Sequence, residues 1–213
     1  MEIKELVDLL GIGQYGGSST KVGTMYHELP FEEFKFPVHR RRLHLRVEKI
    51  LGEIPVKYMR GLDLGCNVGG ITFSLQLAGA NMVGIDYDKQ AIQVAQGVEE
   101  YKNTGAVFLN KSITLEFVEK LEYFDFTVFF DTWMWISKFN GREYAEKLLK
   151  KLSEKTTHLF FSVSQGKGKA HLDFIESKHD VLRLLRENTI YNVFRDLGTV
   201  EDGWHPRNIF HCF

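Results

Sequence analysis

From residue 61 to about residue 190, short apolar runs alternate with stretches whose apolar positions recur every three or four residues. The runs predict strands at 61–64, 81–86, 106–109, 124–130 and 158–163. The periodic stretches predict helices over 71–78, 89–101, 115–121, 141–153 and 180–186. Asp88 and Thr114 stand where N-cap residues belong, each with a side-chain oxygen able to accept from a first-turn amide. The run 124–130, with Phe124, Phe126, Val128, Phe129 and Phe130, reads as a strand buried on both faces. Two last runs, 191–197 and 208–213, flank a turn around Gly203. A parallel link needs about a dozen residues, so this pair is expected to be antiparallel. The pattern predicts an α/β fold: an open, mostly parallel, seven-stranded sheet with helices on both faces and a C-terminal antiparallel hairpin.

The chain before this region reads differently. Residues 4–10 predict a short amphipathic helix, and 11–20 form a Gly- and Ser-rich stretch with Gln14 and Tyr15 at its centre. Residues 24–37 are irregular, punctuated by Pro30 and Pro37. Leu43, Val47, Ile50 and Leu51 predict a helix over 39–51 that carries Arg40, Arg41 and Arg42. The expected organisation is an N-terminal helical cap or lid over 1–55 and a ligand-binding domain over 56–213.

Composition narrows the function classes. The 213 residues include 27 basic and 28 acidic side chains, for a net charge of −1, which argues against binding nucleic acid by bulk charge. The two cysteines, Cys66 and Cys212, are far apart and no His/Cys spacing suits a metal, so no metal site and a reduced, cytoplasmic setting are expected. The first ten residues lack the basic-then-apolar plan of a signal peptide. No apolar run reaches the roughly 18 residues of a membrane span.

The chemistry concentrates after the first strand of the alternating region. Asp63-Leu64-Gly65-Cys66-Asn67-Val68-Gly69-Gly70 joins that strand to a helix. Glycines let a backbone turn tightly and approach a ligand without Cβ clashes. Ligands of open α/β sheets bind at the carboxyl ends of strands. Asp86 closes the second strand, 21 residues after Gly65, where an acid can accept from both hydroxyls of a ribose. A dinucleotide fingerprint requires G-x-G-x-x-G, and Asn67 occupies the place of its second glycine. Asp63 also suits a cationic ligand better than a diphosphate.

At these residues the chain resembles the class I S-adenosylmethionine-dependent methyltransferases, which are Rossmann-like. Asp63, Gly65, Gly69 and Asp86 match that family's first motif, and Asn67 departs from it, as in members reading Gly-Cys-Asn-x-Gly. The resemblance implies S-adenosylmethionine as cofactor. It implies a binding set of Asp63, Gly65, Cys66, Asn67, Gly69, Asp86, Tyr87 and Ser112, with the ribose on Asp86 and the adenine beside Tyr87.

Other candidates follow from position. Asp131, at the end of the fourth strand, is a candidate general base or a partner of the cofactor's ammonium group. Trp133 and Trp135 share a face with Asp131 if the strand continues through them, and would then form an aromatic wall for a substrate. Trp204 is a substrate candidate and His205 a second candidate base. One arginine of the 40–42 run is a candidate for the cofactor carboxylate, and Lys167 and Lys169 are candidates for phosphate. The expected function is methyl transfer to oxygen or nitrogen of a small molecule. The alternatives are RNA methylation and a cofactor-binding module without catalysis. No Asn-Pro-Pro-Tyr motif follows the fourth strand, which disfavours transfer to an amino group of adenine, cytosine or glutamine.

Overall fold

The computed structural model describes residues 5, 8, 25–40, 42–165, 174–200 and 207–213. They form two compact units, Met1–Ser112 and Ile113–Phe213.

The first unit begins with β1 (Met25–His27) and β2 (Val38–Arg40), a parallel two-stranded pair. Then follow α1 (Leu43–Leu51), β3 (Arg60–Leu64), α2 (Gly70–Leu77), β4 (Asn81–Asp86), α3 (Lys89–Lys102) and β5 (Val107–Asn110). β3 pairs in parallel with β4, and β4 with β5. Asp88 caps α3, its carboxylate accepting from the amides of Gln90 (2.9 Å) and Ala91 (3.0 Å), a contribution of about 1 kcal/mol. Val68, Phe73, Ala91, Val94, Val98 and Phe108 make the core, and Met25, Leu29, Phe31 and Phe34 of the N-terminal segment belong to the same cluster.

The second unit contains α4 (Leu115–Glu119), β6 (Phe124–Phe130), α5 (Trp133–Asn140), α6 (Arg142–Ser153), β7 (Thr156–Ser162), α7 (Lys178–Asn188), β8 (Phe194–Val200) and β9 (Arg207–Cys212). Thr114 caps α4 through a 3.1 Å bond from the Phe117 amide. β6 and β7 run parallel, and β9 is antiparallel to both β7 and β8. The main sheet has seven strands in the order β5-β4-β3-β6-β7-β9-β8. The mostly parallel α/β fold and its closing antiparallel pair are as the pattern predicts.

Three local expectations are corrected. Residues 25–27 form a strand and not irregular chain, and 38–40 form its partner strand where the pattern predicts a helix from His39. The helix of the arginine run begins at Leu43, because Arg40 is in β2 and Arg42 adopts the left-handed conformation (φ 70°), which no α-helix continues through. The run is therefore not a helix face, and Arg41 lies outside the described residues. Residues 133–140 form α5 and do not extend β6. Asp131, at φ 56°, turns the chain out of the strand.

Gly70 fixes how the N-terminal segment meets the first turn of α2. A Cβ there would lie 2.5 Å from Leu43 Cδ2 and 2.6 Å from the Glu28 carbonyl oxygen. The Glu28 carboxylate in turn accepts from the Leu43 amide at 3.0 Å. Gly70→Ala gains less than the ~1 kcal/mol of helix propensity available at an interior position, and the clash, partly with backbone, outweighs it. The variant is expected to lose about 1–3 kcal/mol, read as a lower Tm in thermal denaturation. An unchanged Tm would contradict this packing.

Candidate active site

The site is built by the turn between β3 and α2. Gly65 leaves the strand at φ 83°, a conformation open to glycine and strained for most other residues. The amides of Gly65 and Cys66 both donate to the Ile85 carbonyl, at 2.8 and 3.1 Å, and fasten the turn to β4. Asn67 then takes φ 50° and Gly69 φ 86°. Asparagine is among the few side chains that accept the left-handed region, so Asn67 fills the place of a motif glycine at modest conformational cost. A Cβ on Gly69 would stand 2.6 Å from the Phe108 ring. Gly84, on β4, is also closed to a side chain, with Thr72 Oγ1 at 2.9 Å and Cys66 Sγ at 3.0 Å from a Cβ there.

Two carboxylates are buried here. Asp86, at the end of β4, accepts from the Asn67 amide at Oδ2 (2.8 Å) and from the Asp88 amide at Oδ1 (2.9 Å). Asp63, inside β3, accepts from the Thr72 hydroxyl at 2.7 Å. Burial raises the carboxyl of Asp63 to about 7, opposed by the Thr72 bond and reinforced by the charge of Asp86. Burial raises Asp86 to about 6, opposed mainly by its two amide donors. Burial and the same two acids push the Cys66 thiol up, so Cys66 is a packed wall and not a nucleophile.

Tyr87 and Ser112 are exposed. The Asn110 side-chain amide donates to the carbonyls of Asp86 (3.0 Å) and Tyr87 (2.9 Å), and the Lys111 amide donates to Asp86 O (3.0 Å). The end of β4 is thereby held in place. Thr72, Gly84 and Asn110 carry no motif of their own, and sequence reasoning missed them. Their positions facing Asp63 or closing β5 were the available signals.

The second unit arranges the remaining candidates. Asp131 Oδ1 lies 2.8 Å from Nε of Arg207, and that side chain is only 3% exposed. Trp133 and Trp135 do not share a wall, because two positions along a helix point about 200° apart. Trp133 is fully buried, its indole N–H donating to the Ala145 carbonyl at 2.9 Å and its ring near Phe161 and Phe174. It is core, with no face left for a substrate. Trp135 is 37% exposed, stacked on Phe139 at 6.2 Å with Lys138 Nζ 4.9 Å from its ring centre. Trp204, His205, Lys167, Lys169, Gln14 and Tyr15 lie outside the described residues. Among the described residues no group of three or more His, Cys, Asp or Glu suits a metal ion, and no helix is long and apolar enough to cross a membrane.

A glycine turn from strand into helix, with a buried acid closing the next strand, is the arrangement by which α/β proteins hold a nucleotide's ribose. The fold and this site define a Rossmann-like nucleotide-cofactor protein. Residues 55–190 match a family model described as a methyltransferase domain, and the chain belongs to that family. Among solved structures it is similar to the bifunctional kinase-methyltransferase WbdD, at 20% identity and a TM-score of 0.79 over 99% of this chain and 46% of that one. It is similar to magnesium protoporphyrin IX methyltransferase (ChlM) from Synechocystis PCC 6803 with bound SAM, at 18% identity and TM-score 0.61 over 79% of this chain and 76% of that one. TehB from Haemophilus influenzae shares 19% identity and TM-score 0.57 over 80% of this chain and 60% of that one. These likenesses are of fold. The chain spans about half the length of WbdD. No curated protein matches it.

The buried acids set a pH dependence. Burial holds both carboxyls above the ordinary aspartate value, so between about pH 4 and 7 the folded protein binds more protons than the unfolded chain. Their contribution to stability is fully present below pH 4 and is lost as pH rises through 6 and 7. Thermal unfolding is expected to show a shallower fall in Tm between pH 5 and 8 for Asp63→Asn than for the wild type. Identical slopes would contradict an ionisation forced in the folded core.

Proposed function

We propose that the chain is an S-adenosylmethionine-dependent methyltransferase acting on oxygen or nitrogen of a small molecule. The observation that carries this is the buried Asp86 carboxylate, held by two backbone amides at the end of β4 beside the Gly65–Gly69 turn. Each of its oxygens keeps acceptor capacity for a ribose hydroxyl. The cofactor set is Asp63, Gly65, Cys66, Asn67, Gly69, Asp86, Tyr87 and Ser112. Gly65 leaves space beside the turn, the exposed Tyr87 offers a ring to the adenine, and Ser112 follows β5. Two buried acids suit a ligand with a sulfonium and an ammonium group, since cations offset their charge. A nicotinamide dinucleotide would bring a diphosphate to the same place, which disfavours it.

Bound, S-adenosylmethionine supplies an electrophilic methyl group on sulfur. The transfer disperses charge, so the chain's main task is to position the acceptor. Asp131 is the acceptor-side carboxylate in this reading, orienting the acceptor's O–H or N–H or taking up its proton. Trp135, more exposed than Trp133, is the substrate-side candidate among the described residues, and Trp204 and His205 stay as candidates by sequence position. The net charge of −1 supports a small molecule over RNA. The domain assignment of 1–55 as a cap or lid belongs to the same proposal.

Asp86→Asn keeps the shape and one amide contact but removes the charge. Calorimetric titration with S-adenosylmethionine is expected to show a loss of about 1.4–2.8 kcal/mol, tenfold to a hundredfold in Kd. Wild-type affinity in a folded variant would place the ribose elsewhere. Gly65→Val tests the same cradle. It is expected to bind no cofactor, and binding at wild-type affinity would contradict the close approach of ligand to this backbone.

A further inference from the structure

We propose that Arg207 is a positioning residue of the acceptor side, holding the Asp131 carboxylate in one orientation before any acceptor arrives. The inference rests on the reading of Asp131 given above and adds a residue that no motif marks.

The backbone fixes both partners. The Asp131 amide donates to the Ser162 carbonyl at 2.9 Å, as though β6 ran one residue further. Its φ of 56° then turns the chain sharply, a conformation that non-glycine residues adopt rarely. Arg207 opens β9. The antiparallel register sets Ser162 opposite Ile209, so Ser164 and Arg207, each two residues further along, come together on the same face. The single Nε–H of Arg207 donates to Ser164 Oγ at 3.0 Å, and Asp131 Oδ1 meets the same nitrogen at 2.8 Å as a charge contact. The Arg207 side chain is 3% exposed and that of Asp131 14%. The more accessible member of the pair is therefore the carboxylate.

Neighbouring polar groups anchor the start of β9 beside the arginine. Gln165 donates to Asn208 Oδ1 at 3.3 Å, and Asn208 donates to Asp196 Oδ1 at 2.8 Å. Lys178 Nζ stands 3.2 Å from Asp196 Oδ2. This chain ties the first residues of β9 to the segment after β7 and to β8. With β9 anchored at Asn208 and Nε bonded to Ser164, the buried guanidinium is the fixed member of the pair and the carboxylate conforms to it. Lysine would supply charge without the in-plane Nε–H that reaches Ser164 while the guanidinium stands against Asp131. Preorganisation of this kind matters most where the reaction needs little besides orientation.

The rival account is that the pair only anchors β9. Three variants of the full chain separate the two: Arg207→Lys, Asp131→Asn and the double Asp131→Leu with Arg207→Met. Replacing a buried ion pair on both sides by apolar groups often preserves the fold, whereas removing one partner strands a charge. Each protein is assayed for Tm, for calorimetric affinity toward S-adenosylmethionine, and for transfer from methyl-labelled cofactor. The acceptor probes are the low-molecular-weight fraction of a cell extract and, separately, total RNA. The double variant is expected to melt near the wild type and keep cofactor affinity within about twofold, with transfer lower by about tenfold or more. Arg207→Lys is expected to transfer at an intermediate rate. A well-folded double variant with wild-type transfer overturns the proposal. If the double variant does not fold, wild-type transfer by Arg207→Lys overturns it instead. Wild-type protein that binds cofactor but labels neither fraction overturns the catalytic reading and this inference with it. Label in RNA alone overturns only the small-molecule reading, and the ratios among variants, read in that fraction, still decide the role of Arg207.

Discussion

The Asp86 carboxylate is the fixed point of the first unit. One oxygen accepts from Asn67 in the turn after β3, and the other accepts from Asp88 at the cap of α3. These bonds join the glycine turn, the end of β4 and the start of α3 through one side chain. They also hold Asn67 at its positive φ, and so maintain the shape of the turn. The Ile85 carbonyl reinforces the junction by accepting from Gly65 and Cys66. Without the carboxylate the two amides lose their acceptor inside a buried region, where an unpaired donor costs about 1–3 kcal/mol.

The two units treat their carboxylates differently. Asp131 is compensated within the fold, by Arg207 2.8 Å away. Asp63 and Asp86 accept from a threonine hydroxyl and from backbone amides. Such donors stabilise a carboxylate less than a cation does, which is why burial still raises Asp63 to about 7 and Asp86 to about 6. A site that keeps two acids at this cost is complementary to positive charge. The methyltransferase family and the sulfonium cofactor proposed for this chain fit that electrostatic demand. The uncharged environment of Cys66 and Phe108 around the turn strengthens it, because charges interact more strongly where water is excluded.

Most of the fold was legible because hydrophobic period and turn chemistry agree along the chain. The alternation after residue 61, the caps at Asp88 and Thr114 and the final antiparallel pair all follow from local pattern. The turn after β3 and the acid closing β4 were legible for the same reason, since glycines and an acid at fixed offsets reflect backbone needs. Trp133 was misread because alternating sequence looks the same in a strand and in a short helix once the chain has turned. Only the positive φ of Asp131 decides which of the two forms. The arginine run was misread because the left-handed Arg42 interrupts a helical pattern without a proline or glycine to announce it. Arg207 gave no signal, since its partners Asp131 and Ser164 are brought to it by strand register over a long sequence separation. Local pattern carries no information about which strand end meets which.

In the proposed function the Asp86 carboxylate receives the ribose of a sulfonium cofactor. A crystal structure of the protein soaked or co-crystallised with S-adenosylmethionine measures it directly. Both ribose hydroxyls are expected within about 2.5–3.0 Å of the Asp86 carboxylate oxygens, with the methionine portion beside Gly65. A cofactor bound away from Asp86, with that carboxylate touching only Asn67 and Asp88, would contradict it.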